Sequence, residues 1–142
     1  MTILEQLADY ARERTEQGKR KRSLEELKKQ ALSLPDKKFE FENAIKRPGL
    51  SFIASVKKLP LPEELSFTTF RTFRLQKEYE AAGAECISVL TEPKWFLGSN
   101  EYLKRIAGAV SVPCLRKDFT VDEYMIYEAR VLGASAVLLI RL

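Results

Sequence analysis

The chain has no histidine and only two cysteines in 142 residues. Without histidine there is no Ser-His-Asp triad, no Cys-His dyad and no imidazole metal site. Proton chemistry falls to Lys, Glu, Asp, Tyr or water. Cys86 and Cys114 lie inside apolar stretches, away from zinc-ligand spacing, and read as buried free thiols. Six Gly and six Pro are too few for a collagen-like or linker-dominated chain. The longest apolar run, Ala136 to Ile140, is far too short to span a bilayer. Met1 to Glu16 carries Glu5, Asp9, Arg12, Glu13 and Arg14, with no apolar h-region and no cleavage site. That excludes a signal peptide and reads as a cytoplasmic protein.

What is present suits one soluble globular domain. Apolar residues make up 45% and charged residues 31%. The net charge is +4, with a pI of about 9.1. Lys19, Arg20, Lys21 and Arg22 form a basic run, and Lys28, Lys29, Lys37 and Lys38 follow. Glu5, Glu25, Glu26, Glu40 and Glu42 intersperse it, and no aromatic interleaves the run to stack on bases. A solvated helix end and loop is the reading preferred over a nucleic-acid surface.

The first third reads as helix. Ile3, Leu4, Leu7, Ala8 and Ala11 recur at helical spacing behind a Thr2–Glu5 capping box. Ser23 and Glu26 open a second helix with the stripe Leu24, Leu27, Ala31 and Leu34, stopped by Pro35. Phe39 to Lys46 is a third short helix. The period then changes. Ser51–Lys58, Glu85–Thr91, Val112–Lys117 and Ala134–Ile140 read as strands. Phe67–Gly83, Asn100–Val110 and Asp122–Leu132 read as the helices between them. The order β-α-β-α-β-α-β predicts an α/β fold with a parallel sheet, either doubly wound or part of a barrel. The absence of Gly-x-Gly-x-x-Gly and of a P-loop gives dinucleotide binding no support. In a barrel the chemistry sits where strands end: Lys57-Lys58, Thr91 to Ser99, Lys117-Asp118-Phe119 and Arg141.

Several stretches resemble indole-3-glycerol phosphate synthase. They are Phe52 to Lys58, Tyr79 to Ala84, Ser88 to Glu92, Phe96 to Ser99 and Pro113 to Phe119. The Ile126 to Arg130 helix, the Gly133 to Ile140 strand and the helical prefix agree. The Leu-Arg-Lys-Asp-Phe run and the Leu-Thr-Glu…Phe-x-Gly-Ser run are specific together. The resemblance covers nearly the whole chain but only the first half of the family's barrel. It implies half of a TIM-type (βα)8 barrel, (βα)4-like, over residues 51–142, with an N-terminal helical extension over 1–50, the two forming one domain.

The resemblance further implies indole ring closure in tryptophan biosynthesis. The reaction condenses, decarboxylates and dehydrates a small phosphorylated anthranilate-derived substrate, without metal or organic cofactor. Lys117 then falls at the family's general acid, and Lys57 at the lysine that binds substrate and serves the later acid step. Phe96 and Phe119, with Leu138, wall the anthranilate ring. Strand alternation puts Ser55 with Lys57, and Leu115 with Lys117, on one face. Two lysines converging there would depress each other's pKa and favour an anion. The alternative is that both simply cap strands and reach solvent.

Several departures qualify the resemblance. Ser55 stands where the family carries a glutamate, and a serine cannot orient a lysine as a carboxylate does. The run Leu59-Pro60-Leu61-Pro62-Glu63-Glu64-Leu65 replaces a small-residue loop with a stiff, apolar one. Phe67, Phe70 and Phe73 then recur every three residues, as core or as a self-association surface. The chain also stops at Leu142, just past the fourth strand, and Arg141 takes an ordinarily apolar position. The expectation is a truncated or engineered half-barrel, impaired alone, that pairs as a homodimer or with a complementing half. The alternatives are a natural truncated paralogue, and a lysine-based lyase active once so paired.

Overall fold

The computed structural model describes residues 1–56, 74 and 76–141. The expectations for Lys57, Lys58, the 59–65 run and the Phe67, Phe70, Phe73 stripe lie outside the described residues.

Helix α1 (Ile3–Lys21) starts as the sequence predicts. The Thr2 hydroxyl accepts from Glu5 N–H, and the Glu5 carboxylate accepts from Thr2 N–H. Leu7, Ala8, Ala11 and Thr15 are its buried face. Ile3 and Leu4, expected in that stripe, are exposed, since helical spacing sets which residues share a face but not how much of that face is covered. Helix α2 (Leu24–Ser33) is capped by the Ser23 hydroxyl, which accepts from Glu26 N–H, and buries Leu27 and Ala31 against the second half of the domain. Leu34 is not in its stripe but is the C-cap residue, extended and half-exposed. Helix α3 (Glu40–Ile45) begins one residue later than the sequence suggests. Phe39 takes a left-handed φ of 55° and caps it without a side-chain bond.

Four strands follow: β1 (Ile53–Val56), β2 (Cys86–Leu90), β3 (Cys114–Lys117) and β4 (Ala136–Val137). They form one parallel sheet in the order β1-β2-β3-β4. Residues 76–81 are helical (α4), and α5 (Asn100–Ala109) and α6 (Glu123–Leu132) complete the alternation. β4 is shorter than its apolar run, because only Leu115↔Ala136 and Arg116↔Val137 pair. Beyond them a single long bond, Leu138 N–H to Arg116 C=O at 3.4 Å, holds the chain to β3. Gly133 ends α6 in the left-handed region, at φ 102°, and turns the chain into β4.

Register sorts the side chains onto two faces. Ala54, Val56, Ile87, Val89, Cys114, Arg116 and Val137 face the helices. There Val56, Ile87, Val89 and Cys114 pack with Leu103, Ile106, Ala129 and Ala134 as the core. Ser55, Ser88, Leu90, Leu115 and Lys117 share the other face. Both cysteines are free and buried, and burial pushes the Cys114 thiol up to about 12. No helix among the described residues is long and apolar enough to cross a membrane.

Candidate active site

The site is built where β2 and β3 end. β2 delivers Leu90, then Thr91 and Glu92; β3 delivers Lys117, then Asp118 and Phe119. Leu90 and Lys117 are register partners. A cavity of about 100 Å³ opens there, lined by Leu90, Glu92, Phe96, Lys117, Asp118, Phe119, Leu138 and Ile140. Phe96 and Phe119 stack with ring centroids 6.4 Å apart and planes 25° from parallel. Lys117, Phe96, Phe119 and Leu138, each singled out from sequence, thus surround one space. Lys57 lies outside the described residues. A larger cleft of about 550 Å³ opens beneath Gly83 and Pro113, at the opposite ends of the strands. It mixes Lys37, Lys38 and Arg47 with Glu40 and Glu85 and has no aromatic wall.

Two buried ionic groups hold the strand ends in place. Arg116 is 1% exposed. It donates to Thr91 Oγ1 (3.0 Å), Met125 C=O (3.1 Å), Asn100 Oδ1 (2.8 Å) and Glu128 Oε1 (2.6 Å), joining β3 to β2, α5 and α6. Asp118 accepts both Arg14 guanidinium nitrogens, at 3.1 and 2.7 Å, and the Thr91 hydroxyl at 2.6 Å. Burial pushes the Asp118 carboxyl up, but the Arg14 bonds, the two arginine charges and Thr91 outweigh it and leave it below the ordinary range.

The N-terminal extension reaches the same place. Arg14, which is on α1, fixes Asp118 beside Lys117. One turn earlier on α1, Tyr10 meets the Trp95 ring edge-on at 5.6 Å. The Lys94 ammonium stands over both rings, 5.2 Å from Tyr10 and 4.5 Å from Trp95. Farther along, Lys19 pairs with Asp122 at 2.9 Å, and Tyr124 Oη–H donates to Arg22 C=O at 3.1 Å. So α1 lies across the loops that carry Phe96 and Phe119.

The 92–99 loop is drawn tight against β2. Gly98 N–H donates to Glu92 C=O at 2.7 Å, and Ser99 N–H to Leu90 C=O at 3.3 Å. A Cβ on Gly98 would lie 2.4 Å from the Leu90 carbonyl oxygen. The partner is backbone, so little can yield. Gly98→Ala is expected to destabilise by about 1–3 kcal/mol, read as a lower urea midpoint at unchanged slope. An unchanged midpoint would mean that the loop has room the geometry denies.

Sequence reasoning named Glu92, Arg116 and Asp118 only as parts of runs, with no role of their own, and gave Arg14 none beyond its charge. Arg14 carries no local signal, since its partner is 104 positions away. Arg116 alternates between Leu115 and Lys117 on β3, so its burial on the helix side was open to inference. Among the described residues no cluster of three or more His, Cys, Asp or Glu is placed to hold a metal ion.

The indole-3-glycerol phosphate synthase family model matches residues 4–142. The indole-3-glycerol phosphate synthase of Ruminiclostridium cellulolyticum is 47% identical over 139 residues, covering 97% of this chain and 54% of that protein. The one from Endomicrobium trichonymphae is 45% identical with the same coverage. That of Neisseria meningitidis serogroup B is 52% identical over 88 residues, 62% of this chain and 34% of that protein. The chain spans about half the length of the curated relatives it matches most extensively. Four parallel strands with their helices, over that half, are half of a TIM-type barrel. From its strand order, its coverage and its match from residue 4 onward, the chain belongs to the indole-3-glycerol phosphate synthase family.

Proposed function

We propose that this chain carries the aromatic-walled lysine end of an indole-forming site, and that it does not complete ring closure by itself. The observation that supports this is the cavity in which the Lys117 ammonium, the Phe96–Phe119 stack and Leu138 meet. The stack suits the flat ring of an anthranilate-derived sugar phosphate. Lys117, half-buried at the rim, serves as the proton donor, and its charge favours an anionic substrate. Ser55 supports impairment. It sits exposed on β1, paired in register with Ser88, and offers a hydroxyl where the reaction calls for a carboxylate.

We further propose that a second copy completes the sheet. β1 and β4 stand at its two ends. Phe52 is 62% exposed and Ile53 46% beside one end, and Leu139 is 69% exposed beyond the other. Parallel strands bury both faces in a stable fold, so ends of this kind favour a partner strand. Two copies related by a twofold axis would set β4 beside the partner's β1, twice over.

The test is titration of the chain with its anthranilate-derived sugar phosphate, following ring fluorescence for binding and indole formation for turnover. Binding without detectable turnover is expected. Phe96→Ala should weaken binding about tenfold, the equivalent of 1.4 kcal/mol. Turnover that is lost in Lys117→Ala and scales with the dimer would replace impairment by the lyase reading. Absence of any binding would refute the site.

A further inference from the structure

We infer that Glu92 is a positioning residue, whose buried carboxylate sets the aromatic wall of the cavity. Glu92 has no exposed surface. Its Oε1 accepts from Lys94 N–H at 2.9 Å, and its Oε2 accepts from Trp95 N–H and Phe96 N–H, both at 2.8 Å. Three consecutive backbone donors therefore converge on one side chain. Only a carboxylate fits them. It presents acceptors alone on both oxygens, whereas a glutamine would set its own NH₂ against one of the donors. Bonds to a charged acceptor inside the protein are also the stronger kind.

The same loop carries strain that needs such a hold. Leu97 takes a φ of 53°, in the left-handed region that a leucine rarely adopts, and Gly98 is pressed onto the Leu90 carbonyl. Phe96 lies between the last Glu92 bond and this strained turn. Phe96 is 44% exposed and stacks on Phe119. Packing alone therefore fixes it weakly, and the backbone on either side decides where the ring stands. Glu92 itself lines the cavity, so the wall and its anchor belong to one unit. The role of that wall in holding an aromatic substrate rests on the proposed function; the anchoring of the loop does not.

The test compares wild type, Glu92→Gln and Phe96→Ala in the full chain. The probe is anthranilate, titrated against the emission of Trp95, the one tryptophan in the sequence. Amide hydrogen exchange at Lys94, Trp95 and Phe96 is measured alongside. Glu92→Gln is expected to keep the wild-type far-ultraviolet spectrum, to weaken anthranilate about tenfold, and to raise exchange at those three amides at least tenfold. The Trp95 spectrum should shift as well. If Phe96→Ala weakens binding and Glu92→Gln does not, the inference is overturned and the proposed site stands. If wild type does not bind anthranilate, the proposed site fails. Glu92 is then judged on exchange and the Trp95 spectrum, which support it if they change and overturn it if they do not. If Glu92→Gln does not fold, the wild-type amides decide. Protection beyond that of their loop neighbours supports the anchor, and free exchange overturns it.

Discussion

Replacing Arg116 with methionine is expected to destabilise the domain by about 3–5 kcal/mol, the cost of breaking a buried ion pair from one side. The guanidinium is 1% exposed and meets a hydroxyl, a backbone carbonyl, an amide oxygen and the Glu128 carboxylate. A methionine fills much of the volume and satisfies none of them. Met125 C=O and Asn100 Oδ1 lose a donor, and Glu128 loses its cation. Urea unfolding at pH 7 measures the loss. Adding Glu128→Leu should recover part of it, because the second change removes the stranded charge. A loss below about 1 kcal/mol would mean that water replaces the guanidinium, and that the β3 end is not held as described.

The second large effect is in acid. Asp118 titrates below its ordinary value of 3.8 in the folded protein. A carboxyl so depressed adds stability that is fully present above its unfolded value and lost as pH falls through the folded one. The loss therefore begins near pH 4 and deepens below it. What fails there is the bidentate Arg14–Asp118 pair, which ties α1 to the β3 end. Asp118→Asn should be less stable than wild type at pH 7, and the gap should narrow as pH falls below about 4. Measuring both across pH 2–7 separates this pair from the exposed carboxylates. A gap constant with pH would show that the pair contributes no charge-dependent stability.

How much of this the sequence disclosed depends on the distance over which each signal acts. The Thr2–Glu5 cap, the Ser23 cap and the Leu7, Ala8, Ala11 face are local patterns, and all three are in the structure. The strand alternation was legible because βαβ units change period from 2 to 3.6 and back. Strand ends pointed to the runs that hold Lys117, Phe96 and Phe119, but the role of each, and Leu138 altogether, came from the resemblance to the synthase family. Strand lengths were not legible, since β4 depends on how many partners β3 offers and not on its own apolar run. Ile3 and Leu4 followed the helical period yet stay exposed, because a periodic face is buried only where another element covers it. Arg14 and Asp118 meet across 104 positions, which no local pattern encodes. Glu92 left a faint trace, a carboxylate just ahead of Pro93 in a turn closed by Gly98, but its three bonds need the backbone to be seen.

We propose a half-barrel that carries one end of the site and closes its sheet with a second copy. Light scattering on an eluting peak, across a dilution series, tests it most directly. One copy has a mass of 16.3 kDa. About twice that mass is expected, persisting on dilution and lost when a lysine replaces Ile53 at the sheet end. A folded species of one-copy mass at every concentration would contradict it, and the cavity beside Lys117 would then belong to a monomer.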